Sequence, residues 1–121
     1  MKITGFRSLI VTKDPDSVVK TFEALGFEKR HTKTDIEDGA NVGIAMKDAN
    51  QNKVDIAQIE TERDSILLRM NVDNFQEAYD LLIQKGFVNT RGDGTVGTAT
   101  SKAATMVSPS GFMISLIQHL K

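Results

Sequence analysis

Few side chains in this sequence are equipped for chemistry, and their spacing limits what they could do. There is no cysteine, which removes thiolate nucleophiles, thiolate metal ligands and disulfides together and suits a reducing compartment. Of the two histidines, His31 lies in a β-rich run and His119 is the third-last residue. They would form a two-histidine, one-carboxylate iron site only if both converged on an acid. Their ordinary reading is a strand-edge histidine and a tail histidine, with His31 kept as a hydrogen-bonding group or general base. Ser101 and Lys102 are adjacent, but a nucleophile and its base need a third group to orient them. GDGTVGT (92–98) lacks a Walker-type lysine and is not followed by a helix, so it reads as a hairpin or flap. The tripeptide Arg91–Gly92–Asp93 within it is too short a match to carry meaning.

Two charged residues set in apolar strands are more informative. Arg69 interrupts ILLRMNV (66–72), and Asp55 interrupts KVDIAQ (53–58). A guanidinium presents a fixed fork of donors that suits a carboxylate, phosphate or enolate oxygen. A carboxylate in such a place serves as a general base, as a partner for an arginine, or as a solvated surface group.

The elements that position these groups are repeated. EALGF (23–27) and IQKGF (83–87) place Gly26 and Gly86 60 residues apart, each after an amphipathic run. Val18, Val19, Phe22 and Leu25 share one helical face in the first run, and Phe75, Ala78, Tyr79 and Leu82 share one in the second. Asp14 before Pro15 and Asn74 with Glu77 have capping spacing, while both glycines suit left-handed C-terminal positions. The same offset aligns 47–58 with 107–118, setting Asp55 on Ser115 and Gln58 on Gln118. Strands are expected at 8–12 and 66–72 before the helices. Two more follow each helix: FEKRHTKT and NVGIAMK around a turn at Glu37–Gly39, then FVNTR and KAATMV around the Gly-rich stretch. The fold class is therefore α+β, with βαβββ occurring twice in one 121-residue domain, unit one about 1–60 and unit two about 61–121.

Bulk composition narrows the function. Fifteen Lys and Arg stand against 16 Asp and Glu, interspersed, so no basic stripe suggests nucleic acid. No apolar run is long enough to span a membrane, and the start lacks a signal-peptide layout. A cytoplasmic, soluble protein is expected.

A doubled βαβββ unit with the entry SLIVTKDPD, the helix ends ALGF and QKGF, and the exit SPSGFMISLIQ resembles the vicinal oxygen chelate superfamily of glyoxalases, bleomycin resistance proteins and dioxygenases. The resemblance covers essentially the whole chain. It implies a curved mixed sheet with helices outside and a concave cavity. Enzymes of that family hold a divalent metal there with one ligand from each of four strands, and sequestering members use the cavity without metal, often as homodimers. By the resemblance, the four ligand positions fall on Ser8, Asp55, Leu67 and Ser115, with Arg7 as the alternative to Ser8. Only Asp55 is an ordinary ligand, and one strong ligand makes no site, so no metal and no cofactor are expected. Alternation turns Leu68, Met70 and Val72 toward the helix and Leu67, Arg69 and Asn71 toward the cavity.

The expected function is metal-independent binding of a small, partly apolar organic molecule, in sequestration or sensing. Arg69 and Asn71 orient its polar end; Ser8, Asp55 and Ser115 add hydrogen bonds; Ile10, Leu67 and Met113, with Met46 a further candidate, give apolar wall. The alternative is a glyoxalase-like lyase or isomerase, or a dioxygenase-related enzyme, with Asp55 or His31 as base. The expected partners are a small-molecule ligand and a second copy of the chain, with neither nucleic acid nor membrane.

Overall fold

The computed structural model describes residues 1–34, 42–90, 92, 96–97 and 101–119. Strand β1 (Ile3–Thr12) leads to helix α1 (Pro15–Ala24), then β2 (Glu28–Thr34), β3 (Val42–Lys47) and β4 (Lys53–Gln58). The second set runs β5 (Ser65–Val72), α2 (Phe75–Gln84), β6 (Val88–Asn89), β7 (Val96–Gly97), β8 (Ser101–Val107) and β9 (Met113–His119). The turn expected at Glu37–Gly39 lies outside the described residues, as do 93–95 and 98 of the Gly-rich stretch. The chain forms two compact units: an early unit, Arg7–Ile66, and a late unit, Leu67–Lys121 together with Met1–Phe6. The first six residues join the late unit through specific bonds. Lys2 N donates to Asp73 Oδ1 at 2.6 Å, Asp73 N donates to Lys2 O at 3.0 Å, and the Met1 amino group lies 2.9 Å from Glu77 Oε1.

The helices begin and end where local chemistry dictates. Asp14 Oδ1 accepts from Ser17 N at 3.3 Å, and Asn74 Oδ1 accepts from Glu77 N at 3.1 Å. Each bond satisfies an N–H that a helix start leaves open. The α2 start is also tied to β9, since Gln118 Oε1 accepts from Phe75 N at 2.8 Å and its Nε2 donates to Asp73 O at 3.0 Å. Both ends are Schellman turns. Gly26 N and Phe27 N donate to Glu23 O and Phe22 O, while Gly86 N and Phe87 N donate to Ile83 O and Leu82 O. The aromatic then folds back, with Phe27 meeting Phe22 edge to face at 5.2 Å. This displaces Leu25. Expected on the apolar face of α1, it is the C-cap residue and 67% exposed, because Phe27 covers Phe22 instead.

In the early unit the strand order is β2-β3-β4-β1, with β1 parallel to β4 and the other pairs antiparallel. Helix α1 packs Val18, Val19 and Phe22 with Ile10, Ile44, Met46, Val54 and Ile56. Met46, expected as a candidate pocket residue, is instead a core residue at 1% exposure. In the late unit β5 is parallel to β9, β9 pairs antiparallel with β8, and β8 pairs antiparallel with β6 and β7. Helix α2 packs Phe75, Ala78, Tyr79 and Leu82 with Leu68, Met70, Val72, Ala104, Met106, Ile114 and Leu116. Every strand residue in these two cores has an even number. Side chains alternate with period two, and the ladders from β1 to β4 to β3 and from β5 to β9 to β8 pair even with even. Strand β6 is shorter than the expected FVNTR: the chain turns at Thr90, and Gly92 N donates back to Asn89 O.

The repeat extends to the hairpins. Asp48 takes the N–H groups of Asn50 and Asn52 and the Asn52 amide, each at 2.9 Å. These bonds, the Asn52 side chain first, hold its carboxyl below the ordinary 3.8. Ser108, 60 residues on, takes Gly111 N at 2.9 Å and Phe112 N at 3.0 Å. The fourth residue of each turn has positive φ, +70° at Gln51 and +109° at Gly111.

The two C-terminal glycines predict unequal costs. A Cβ at Gly26 (φ +104°) meets nothing within 4 Å, whereas at Gly86 (φ +93°) it would lie 2.9 Å from Pro109 Cγ. Gly26→Ala should cost about 1–2 kcal/mol from backbone conformation alone, and Gly86→Ala distinctly more in urea unfolding. Equal losses would show that Pro109 yields.

Candidate functional site

Since the strand residues packed against the helices are all even-numbered, the odd-numbered ones form the opposite face of each unit. In the late unit this face carries the polar residues singled out in the sequence. Arg69, Ser115 and Thr105 stand in one cross-strand row, with Asn71, Ile117 and Ala103 in the next. Leu67 is buried at 6% exposure, and Met113 is half-buried. Strand alternation therefore brings Leu67, Arg69, Asn71, Met113 and Ser115 onto a single surface. Arg69 Nε and Asn71 Oδ1 are shielded from solvent, and Asn71 Oδ1 has no hydrogen-bond partner among the described residues. Leaving such an atom unmet costs about 1–3 kcal/mol, which a ligand's donor would recover. Gly5 lies close by, a Cβ there falling 3.4 Å from Asn71 Nδ2.

The early unit builds its odd face around Asp55. Leu9, Asp55, Ala45 and His31 occupy one row of register positions. A bulge between Lys29 and His31 restores His31 to that row. Arg7 Nη1 lies 3.3 Å from Asp55 Oδ1, with side-chain exposures of 23% for the arginine and 7% for the carboxylate. A carboxylate taken this far out of water needs a compensating cation or donors, and Arg7 supplies one.

Two expected site residues fall on the other face. Ile10 packs into the α1 core, and Ser8, two residues earlier and paired with Val54, shares that side. The reason is register. Leu9 pairs with Asp55 as Arg69 pairs with Ser115, so the 60-residue offset holds in the opening strands as well. The counterpart of Leu67 is then Arg7, the alternative position, and not Ser8. His119 is exposed at the end of β9. The Arg7–Asp55 pair was not anticipated from the sequence, although the constant 60-residue offset between the repeated motifs contained the signal.

With the register corrected, the four positions that the resemblance would assign to metal ligands fall on Arg7, Asp55, Leu67 and Ser115. A guanidinium is a permanent cation with no acceptor, and a leucine has no lone pair to give. This donor set does not fit a divalent metal. Among the described residues no group of three or more His, Cys, Asp or Glu is arranged to hold one. An open depression of about 490 Å³ lies at the first turns of α1, lined by Asp14, Asp16, Ser17, Lys20 and Thr21; it shares no residue with either odd face. No helix among the described residues is long and apolar enough to cross a membrane.

Solved structures share this architecture over nearly their full length. A methylmalonyl-CoA epimerase is 20% identical with a TM-score of 0.67, covering 95% of this chain and 94% of its own. A glyoxalase/bleomycin resistance protein/dioxygenase superfamily member from Vibrio splendidus is 14% identical with a TM-score of 0.65, covering 98% and 99%. A variant of the Streptomyces coelicolor methylmalonyl-CoA epimerase, in complex with 2-nitronate-propionyl-CoA, is 16% identical with a TM-score of 0.68, covering 98% and 96%. No protein-family model matches the sequence, and no curated protein matches it significantly. The chain has the vicinal oxygen chelate fold, an α+β arrangement of two βαβββ units, the second with the two-residue β7 added beside β8.

The buried carboxylate makes a stability prediction. Arg7→Ala should destabilise the protein by about 1–3 kcal/mol at neutral pH, since it removes a charged partner from Asp55. Arg63→Ala, at an exposed loop position, should stay within about 0.5 kcal/mol. Equal, small effects in chemical denaturation would mean that Arg7 adds nothing to the Asp55 environment.

Proposed function

We propose that the odd-numbered face of the late unit binds a small, partly apolar organic molecule by its polar or anionic end, with no resident metal, for sequestration or sensing. The observation that carries this reading is the row Arg69–Ser115–Thr105, a guanidinium beside two hydroxyl residues on the sheet face away from α2. Leu67 and Met113 supply apolar surface on the same face, and Asn71 Oδ1 offers an unmet acceptor. Few placed polar groups on an apolar wall are what small-ligand sites use. As the resemblance implies, the proposal includes a cytoplasmic homodimer.

The same fold carries epimerases acting on an acyl-CoA, which keeps an enzymatic reading alongside. In that reading Arg69 stabilises an oxyanion and Asp55 or His31 takes a proton. Against Asp55 as a free base stand its burial and its contact with Arg7. Fold kinship at this identity says little about activity.

A thermal-shift screen of the full chain with aliphatic carboxylates, aromatic carboxylates and acyl-CoA thioesters tests the proposal. A ligand at 100 times its Kd stabilises by about 2.7 kcal/mol, which moves Tm by several degrees. At least one class should do this with wild type and fail with Arg69→Ala, while Arg69→Lys responds weakly. A shift that survives in Arg69→Ala would contradict the assignment. Turnover that disappears in Asp55→Asn would favour the enzyme.

A further inference from the structure

In the early unit, the positions that would hold metal ligands carry an arginine anchored on a buried acid, and this arrangement suits a different ligand. We infer that Arg7, positioned by Asp55, is a second oxyanion-binding group, receiving a carboxylate or phosphoryl group on the odd face of the early unit. The inference stands on this unit's residues and does not rest on the Arg69 reading.

Three observations carry it. First, Asp55 is nearly inaccessible and sits on a central strand, whereas the Arg7 side chain keeps 23% of its surface in solvent. The acid is therefore a fixed anchor and the arginine its accessible end. Second, the one contact of the guanidinium among the described residues joins a single nitrogen, Nη1, to Asp55 Oδ1. A guanidinium has five N–H donors in a planar fork, so donors are left for a second anion. Third, other cations occupy the same end of the same face. Lys47 and Lys53 pair with each other across β3 and β4, and both have Asp55's parity. Arg7 and Lys53 each come one residue before the paired Ser8 and Val54. The edge residue in register with Lys47 is Glu28, so three cations face two carboxylates and the balance favours an anion. An arginine already held by a buried partner has lost its rotamer freedom before the ligand arrives, which removes part of the entropic cost of binding.

The test is a titration of the ¹⁵N-labelled full chain followed by two-dimensional amide NMR at constant ionic strength. Sodium phosphate and sodium benzoate are added separately, with sodium chloride as reference, and the signals of Arg7, Lys47, Lys53 and Asp55 are followed. At least one of the two oxyanions should give saturable shifts that chloride does not. Saturation by phosphate alone assigns a phosphoryl group, and by benzoate alone a carboxylate. Arg7→Lys keeps the charge but loses the fork, and should weaken binding roughly tenfold. Asp55→Asn removes a negative charge and should nevertheless weaken binding, because Arg7 loses its anchor. If charge alone attracted the anion, Asp55→Asn would bind more tightly and Arg7→Lys equally well. Either of those results overturns the inference, as does failure of both oxyanions to saturate; the Arg7→Lys comparison decides the matter if Asp55→Asn does not fold.

Discussion

The period-two alternation of the strands is the constraint on which the rest of this structure depends. Each unit packs even-numbered strand residues against its helix: Ile44, Met46, Val54 and Ile56 on α1, and Ala104, Met106, Ile114 and Leu116 on α2. Because the repeat offset of 60 is itself even, the two units have the same parity. The other face carries the odd-numbered residues in register, the buried Leu9, Val11, Ala57 and Leu67 among them. A slip of one residue in β5 or β4 would bury Arg69 or Asp55 against a helix and turn Met70 or Ile56 out of the core, so the register is strongly enforced. Chemistry on the odd face is therefore held by the hydrophobic effect on the even one.

The helix ends reinforce that register. In both units a Schellman turn returns an aromatic, Phe27 or Phe87, onto the helix it has just left. The next strand then starts from a fixed point. Hairpins pinned by Asp48 and by Ser108 do the same for the closing strands that carry Asp55 and Ser115. The odd faces that result differ in character. One carries a buried acid under an arginine, and the other carries an arginine beside hydroxyls.

Much of this was legible in the sequence because it rests on local rules. The glycine–phenylalanine pairs, the capping residues and the alternation in β5 each follow from one or two neighbouring side chains. The placement of Ser8 did not, because the choice between Ser8 and Arg7 turns on a parallel ladder that pairs Leu9 with Asp55, 46 residues on. That one-residue difference moved Ser8 and Ile10 to the wrong face and hid Arg7. Leu25 was misplaced for a related reason: helical periodicity does not register that the C-cap turn replaces it with Phe27. The bridge of Gln118 to the start of α2 joins residues 43 apart in the chain, and no short-range pattern announces it.

Elemental analysis of protein purified without a histidine tag, paired with thermal melts in the presence and absence of added divalent ions, tests the central claim most directly. If the resemblance assigns the ligand positions correctly, Arg7, Asp55, Leu67 and Ser115 there predict no stoichiometric metal and no change in Tm with zinc, nickel, cobalt or manganese. Near-stoichiometric metal, or a rise of several degrees on adding one, would contradict the account and make His31 and Asp55 the first residues to substitute.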